Sequence, residues 1–312
     1  MIEKLTRLTK AKTPYILLSD FEGKTIEVYT LDEAKKEGIF FTIKHNFTPK
    51  QHNLVLHVEK KISLKEYAKK LTFVQNEIKK GNTYLLNLTQ PTTITSIATL
   101  SEIYNKTNAI YKIYYKDKFV CFSPESFVQI NQNTITTYPM KGTIEAHIPN
   151  AKEKILADTK EMAEHIMVVD LLRNDLGIVA KNVRVEKFRY ITTISTNKKT
   201  LYQVSSKISA ILPQNWQENF GEIFSKLLPA GSISGTPKRK TVEIIKKVEG
   251  YKRGFFSGVF GYFDGENFDS CVMIRFIEKQ NKTLVYKSGG GITIDSDILA
   301  EYNELFAKVY LP

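Results

Sequence analysis

Three short runs near the C-terminus decide the fold class: Gly254-Phe-Phe-Ser-Gly-Val-Phe-Gly-Tyr-Phe263, Ser270-Cys-Val-Met-Ile-Arg-Phe-Ile-Glu278 and Leu284-Val-Tyr-Lys287. They are apolar, rich in aromatic and β-branched residues, and predict strands. A helix is predicted after them, from about Asp297 to Val309. Working toward the N-terminus, further strands are predicted at Leu201 to Leu212, Arg184 to Thr193, Phe127 to Tyr138 and Ile110 to Phe122. The run Asp158 to Leu176 has Met162, Ile166, Val169 and Leu172 at helical spacing. Ser63 caps a helix reaching Lys80, with Tyr67, Leu71, Val74 and Ile78 on one face and Gly81 as its stop. Many strands with a few long helices predict an α+β fold built on a large antiparallel or mixed sheet system.

The chain has 312 residues, 42% of them hydrophobic, enough to bury a large core as one extended domain or two closely packed ones. No low-complexity linker or internal repeat marks a boundary. Met1 to Lys12 lacks an apolar signal centre and no later apolar run spans a bilayer, so a cytoplasmic protein is expected. Cys121 and Cys271, both in apolar segments, read as buried free thiols, and zinc has too few soft ligands. The net charge of +12 can steer a polyanion. However, Lys35-Lys36, Lys60-Lys61 and the basic run Lys238 to Lys240 belong to no nucleic-acid motif, so no nucleic-acid partner is expected.

Glu161 and Glu164 stand three apart on a predicted helix, so they share a face, and Glu301 and Glu304 repeat the arrangement on the last helix. One such pair alone reads as a solvated acidic surface. Two pairs point further, because converging carboxylates repel unless a hard cation such as Mg²⁺ neutralises them. His165 lacks partners at zinc-ligand spacing and reads as a helix-packing residue. Gly231-Ser-Ile-Ser-Gly-Thr-Pro-Lys238 predicts a turn in which Pro237 opens a helix, whose N-terminal amides and Lys238 would face a carboxylate or phosphate. Gly289-Gly-Gly291 offers backbone N–H groups without obstruction by Cβ, although each glycine stretch reads equally as a tight turn. Lys141, in Thr137-Tyr-Pro-Met-Lys-Gly-Thr143, is either a solvated lysine or a desolvated nucleophile. Spacing leaves both open.

Seven blocks in order carry a resemblance: Gly81-Asn-Thr-Tyr-Leu-Leu-Asn-Leu-Thr89; Ser123-Pro-Glu125; Pro139-Met-Lys-Gly-Thr143; Lys160-Glu-Met-Ala-Glu-His165 with Val169-Asp-Leu-Leu-Arg-Asn-Asp175; the Pro229 to Lys238 turn; Ile274-Arg275; and Gly289 to Ile292 with Asp295-Ser296. From about Gly81 onward the chain resembles the chorismate-utilising enzymes, the family of the anthranilate synthase and aminodeoxychorismate synthase large subunits. The resemblance implies one large α/β domain of two packed antiparallel sheets flanked by helices. Residues 81–312 would form the chorismate-binding catalytic region, and residues 1–80 a short N-terminal portion packed on the same unit.

Within that family, lysine before the Gly-Thr of the Pro-x-x-Gly-Thr block is similar to the aminodeoxychorismate synthases, whereas anthranilate synthases carry alanine there. The resemblance therefore implies that Lys141 attacks the chorismate ring at C2 as the C4 hydroxyl departs, after which ammonia adds at C4 and expels the lysine. It makes Glu125 the general acid or base. Glu164 and Glu304 would bind Mg²⁺ directly, with Glu161 and Glu301 holding its waters. Arg275 and Lys308 would neutralise substrate carboxylates, with Thr143, Ser234, Tyr262, Gly290 and Gly291 completing the pocket. Tyr202 stands where many relatives carry histidine, and is expected to donate a hydrogen bond to substrate. Feedback control by tryptophan is not expected with so short an N-terminal portion. No glutaminase segment is present, so a separate glutamine amidotransferase subunit is the expected ammonia source. An anthranilate synthase or another chorismate-converting enzyme is the alternative, and a non-catalytic anion-binding protein the competing class.

Overall fold

The run Ser270–Glu278, predicted as one strand, is divided between two sheets in the computed structural model, which describes residues 2–45, 53–195 and 200–312. In spatial order the first sheet holds β10 (Met140–Glu145), β12 (Thr200–Ile211), β9 (Thr134–Thr137), β8 (Ser126–Asn131), β15 (Phe268–Val272), β14 (Val259–Phe263), β1 (Tyr15–Ser19) and β2 (Ile26–Thr30). A further strand, β11 (Lys181–Ser195), pairs with β12. The second sheet holds β13 (Gly235–Thr236), β5 (Leu85–Thr95), β17 (Thr283–Ile292), β16 (Phe276–Gln280), β7 (Phe119–Ser123), β6 (Tyr111–Tyr115) and β3 (Ile39–Ile43), with β4 (His57–Lys60) on β5. Every pairing among the described strands is antiparallel. The two antiparallel sheets and their helices are the architecture expected.

The helices are α1 (Ile2–Lys10), α2 (Leu31–Lys36), α3 (Leu64–Lys79), α4 (Leu100–Lys106), α5 (Ala151–Ala157), α6 (Thr159–Val179), α7 (Phe220–Leu227), α8 (Gly231–Ser234), α9 (Lys238–Glu249) and α10 (Ile298–Ala307). The start of α3 is a capping box in which Ser63 and Glu66 satisfy each other's backbone amides, and the helix ends before Gly81 at φ +74°. Asp158 and Asp297 cap the two glutamate-bearing helices, α6 and α10. No helix among the described residues is long and apolar enough to cross a membrane.

At β1 the first sheet is buried on both faces. Along β1, Tyr15 and Leu17 enter one core with Leu86, Leu88, Val168 and Phe224, while Ile16 and Leu18 enter another with Ile113, Phe119, Cys121 and Phe276. This is the period-two alternation of a strand read against two partners. Both cysteines are free thiols in that second core. The N-terminal eighty residues supply β1 and β2 to the first sheet and β3 and β4 to the second.

Several predicted boundaries shift. Ile110–Phe122 is a hairpin, β6 and β7, turned at Lys116 and Asp117 with positive φ, and Phe127–Tyr138 is another, β8 and β9, turned near Gln132. Lys116-Asp-Lys118 and Asn131-Gln-Asn133 are the polar residues at these turns, and reading each segment as one strand passed over them. On α6, Ile166 faces solvent, and the buried face instead carries Glu164, His165, Val168 and Leu172. Gly289–Gly291 forms no turn; it lies inside β17, paired with Thr89, Leu88 and Asn87 of β5.

A buried ionic network joins β5, α8 and α9. Glu249 accepts from the Thr89 backbone and hydroxyl (2.8 and 2.7 Å) and from Arg253 Nε (2.9 Å). Arg253 also donates to the carbonyls of Ile233 (3.1 Å) and Asn87 (2.6 Å). Removing one member of such a pair strands the other charge in the core. Arg253→Met should therefore destabilise the protein by about 3–5 kcal/mol, measured by denaturant unfolding.

Candidate active site

Four segments distant in sequence meet at one end of the sheets. Lys141 comes from β10, Glu161 and Glu164 from α6, Glu301, Glu304 and Lys308 from α10 and its C-cap, and Gly289–Gly291 from β17. β16 pairs with β17 only as far as Phe276 opposite Lys287, so from Ser288 onward one edge of β17 has no described strand partner. The Gly289 carbonyl on this stretch accepts a hydrogen bond from Lys308 Nζ at 2.8 Å. Glycine is required at position 289, where a Cβ would stand 2.4 Å from the Leu88 carbonyl oxygen, and the next two glycines leave room for charged side-chain ends. A Cβ on Gly290 would stand 3.2 Å from Glu301 Oε2, and one on Gly291 3.3 Å from Lys141 Nζ.

The Lys141 ammonium lies 2.6 Å from Glu164 Oε2, and Lys308 Nζ 2.6 Å from Glu304 Oε1. Burial alone would lower the pKa of Lys141, but Glu164, Glu161 and Glu304 together hold it above the ordinary lysine value. Lys141 is therefore a protonated, ion-paired lysine in this structure, in contrast to the desolvated neutral amine considered from sequence. Burial and the adjacent carboxylate push Glu161 upward, and the same holds for Glu301 against the opposing bond from Ser296. Glu161 Oε2 is buried with no hydrogen-bond partner among the described residues. Lys160, unassigned from sequence, acts electrostatically on Glu161, Glu301 and Glu304, so both glutamate pairs share one field.

These oxygens suit a hard cation. Among the described residues no three His, Cys, Asp or Glu side chains stand together as a complete ligand set. A cation here would take few protein oxygens and complete its shell with water and ligand, as Mg²⁺ prefers.

Glu125 precedes β8 and faces the same cavity as Lys141, Asn87 and Gly291. Burial raises its pKa, with Ser232 opposing the shift by donating a hydrogen bond to Oε1 at 2.5 Å. Arg275 lies where the chain crosses from β15 to β16, at φ +53°, and its charge is felt by Glu125. Thr143 is exposed on β10, opposite Gln203.

Other expected site residues lie elsewhere. Ser234 turns its hydroxyl back onto the Ala230 carbonyl (2.9 Å), and Ser232, two residues earlier, is the serine that reaches the site. The sequence presented both serines in one glycine turn and gave no means of choosing between them. Tyr262 packs on Phe41 in the second core, because alternation along β14 directs it away from the cavity. Tyr202 pairs with Ile144 across β10 and β12, with the Lys152 ammonium 4.9 Å over its ring, and does not line the cavity. Lys238 is bound to Asp175 (2.8 Å) and the Leu227 carbonyl (3.0 Å), so its charge is not offered to an anion, and Pro237 is the N-cap of α9 rather than its first residue. His165 packs as expected, bonded to Ser206 Oγ at 2.7 Å and set edge-on to Phe188.

A family model for chorismate binding enzymes matches residues 3–311. Over its full length the chain is 47% identical to a protein of Haemophilus influenzae described as PabA-like and uncharacterized, of which it covers 96%. It is 28% identical to aminodeoxychorismate synthase component 1 of Klebsiella aerogenes, across 95% of this chain and 67% of that one. The fold is similar to that of the menaquinone-specific isochorismate synthase of Escherichia coli, with a TM-score of 0.76 at 15% identity, covering 98% of this chain and 79% of that one. A family match from residue 3 to residue 311, running through both sheets and both glutamate helices, makes this chain a member of the chorismate binding enzymes.

Proposed function

We propose that the chain is component 1 of an aminodeoxychorismate synthase, converting chorismate and ammonia to 4-amino-4-deoxychorismate, the precursor of p-aminobenzoate in folate biosynthesis. The observation that carries this reading is the position of Lys141, whose amine shares a cavity with Glu125 and borders Gly291. Similarity to aminodeoxychorismate synthase component 1 over 95% of the chain supports it. A glutamine amidotransferase partner would supply the ammonia.

Glu164 and Glu304 would hold Mg²⁺, with Glu161 and Glu301 on its waters; when bound, the ion supplies a positive anchor for a ring carboxylate. Lys141 can attack only as the free amine, so its proton must leave and its bond to Glu164 must break first. Its Nζ then bonds to C2 as the ring double bonds shift and the C4 hydroxyl departs. Glu125, whose pKa burial raises and whose carboxyl Ser232 orients, gives its proton to that hydroxyl so that water leaves. Ammonia next adds at C4, the C2–N bond to Lys141 breaks, and the surplus proton returns to Glu125. Arg275 and Lys308 pair with substrate carboxylates and keep the ring in register.

Incubation with chorismate, Mg²⁺ and ammonium should yield aminodeoxychorismate by mass, and fluorescent p-aminobenzoate only after aminodeoxychorismate lyase is added. Anthranilate formed without the lyase would overturn the assignment in favour of the ortho-aminating enzyme. Lys141→Ala should lose turnover while still binding chorismate. Unchanged turnover in that variant would exclude Lys141 as nucleophile. Glu125→Gln should lower kcat by about 10²–10⁴-fold. Chelation should abolish turnover and added Mg²⁺ restore it, whereas Glu164→Gln and Glu304→Gln should need much higher Mg²⁺ concentrations for any rate.

A further inference from the structure

Arg275 has a fixed backbone and a long side chain. Its carbonyl accepts from Phe122 N at 3.2 Å, the preceding carbonyl of Ile274 accepts from Cys121 Sγ at 3.1 Å, and its φ of +53° belongs to a tight crossing between sheets. The guanidinium, in contrast, is held by a residue from the far end of the chain. Its carbon lies 4.8 Å over the Tyr310 ring, and Nη2 donates to the Tyr310 hydroxyl at 3.2 Å. Tyr310 is itself fixed at its backbone, where its carbonyl accepts from the Tyr286 hydroxyl (3.1 Å) and its amide donates to the Lys308 carbonyl (3.1 Å). Lys308 is anchored in turn on Gly289 and Glu304. The chain's last residues thus link the two cations assigned to substrate carboxylates.

We propose that Tyr310 is a positioning residue that holds Arg275 ready for a substrate carboxylate, through ring stacking on one guanidinium face and one hydrogen bond. The remaining side-chain N–H groups of Arg275, which have no hydrogen-bond partner among the described residues, can bind the carboxylate in a forked geometry. Glu125, the buried acid of the reaction, lies within electrostatic reach of Arg275. A guanidinium without the Tyr310 contacts would lose more rotamer entropy on binding a carboxylate. This inference rests on the assignment of Arg275 to substrate binding.

The test compares steady-state kinetics and chorismate binding by fluorescence titration for Arg275→Ala, Tyr310→Ala, Tyr310→Leu, Tyr310→Phe and the double variant Arg275→Ala/Tyr310→Ala. Tyr310→Ala and Tyr310→Leu should raise KM by about 3- to 30-fold, the range expected for a partly desolvated cation–π contact, with kcat within about threefold. Tyr310→Phe retains the ring and should recover most of that loss. Adding Tyr310→Ala to Arg275→Ala should raise KM no further, because its effect acts through the guanidinium. Leucine keeps apolar bulk in the tail, so a loss shared by the leucine and alanine variants and recovered by phenylalanine separates positioning from unfolding. An elevated KM in Arg275→Ala with wild-type KM in both Tyr310→Ala and Tyr310→Leu would overturn the proposal alone. Wild-type KM in Arg275→Ala would overturn the substrate assignment on which it rests.

Discussion

Carboxylates gathered in a cleft must be accompanied by positive charge, and the arrangement around Glu161, Glu164, Glu301 and Glu304 follows from this constraint. Lys141 and Lys308 are ion-paired to one member of each glutamate pair, and Lys160 acts on both. Glu161 and Glu301, which have no lysine bonded to them among the described residues, are the members whose pKa is raised. A divalent cation at the same place would compete with lysines for Glu164 and Glu304 and release Lys141 from its partner.

The two sheets make this gathering possible. The chain leaves the first sheet after Val272 and enters the second at Phe276, and the crossing residue Arg275 stacks on Tyr310, just beyond α10, within electrostatic reach of Glu125. β17 outlasts its neighbour β16, giving a free edge on which glycines let charged side chains approach the backbone. The buried Glu249–Arg253 pair and its bonds to Thr89, Asn87 and Ile233 fix β5 against the turn that carries Ser232. Stability and site geometry therefore share elements: β5 supplies Asn87 to the cavity and also anchors the core beneath it.

How much was legible differs by feature. Helices α3, α6 and α10 were readable because caps and the 3.6-residue period are local. The hairpins within Ile110–Phe122 and Phe127–Tyr138 were missed although Lys116-Asp-Lys118 and Asn131-Gln-Asn133 interrupt the strand-like pattern, because β-propensity on either side was read as one strand. Period alone also misjudged Ile166, because the buried face of α6 is partly polar and carries Glu164 and His165. Ser234, Tyr202 and Tyr262 were assigned by position in a motif, but one residue along a strand, or two along a helical turn, changes which face a side chain occupies.

By itself the sequence determined the α+β class, the paired glutamates, the glycine blocks and the family, all carried by residue type and short spacing. Tertiary structure decided which of these groups share a cavity. It set Lys141 on Glu164, chose Ser232 over Ser234, committed Lys238 to Asp175, and brought Tyr310 over Arg275 from thirty-five positions away. The physical reason is one of range: capping and periodicity act within a few residues, whereas ion pairs and stacking depend on distances that only the packed sheets establish.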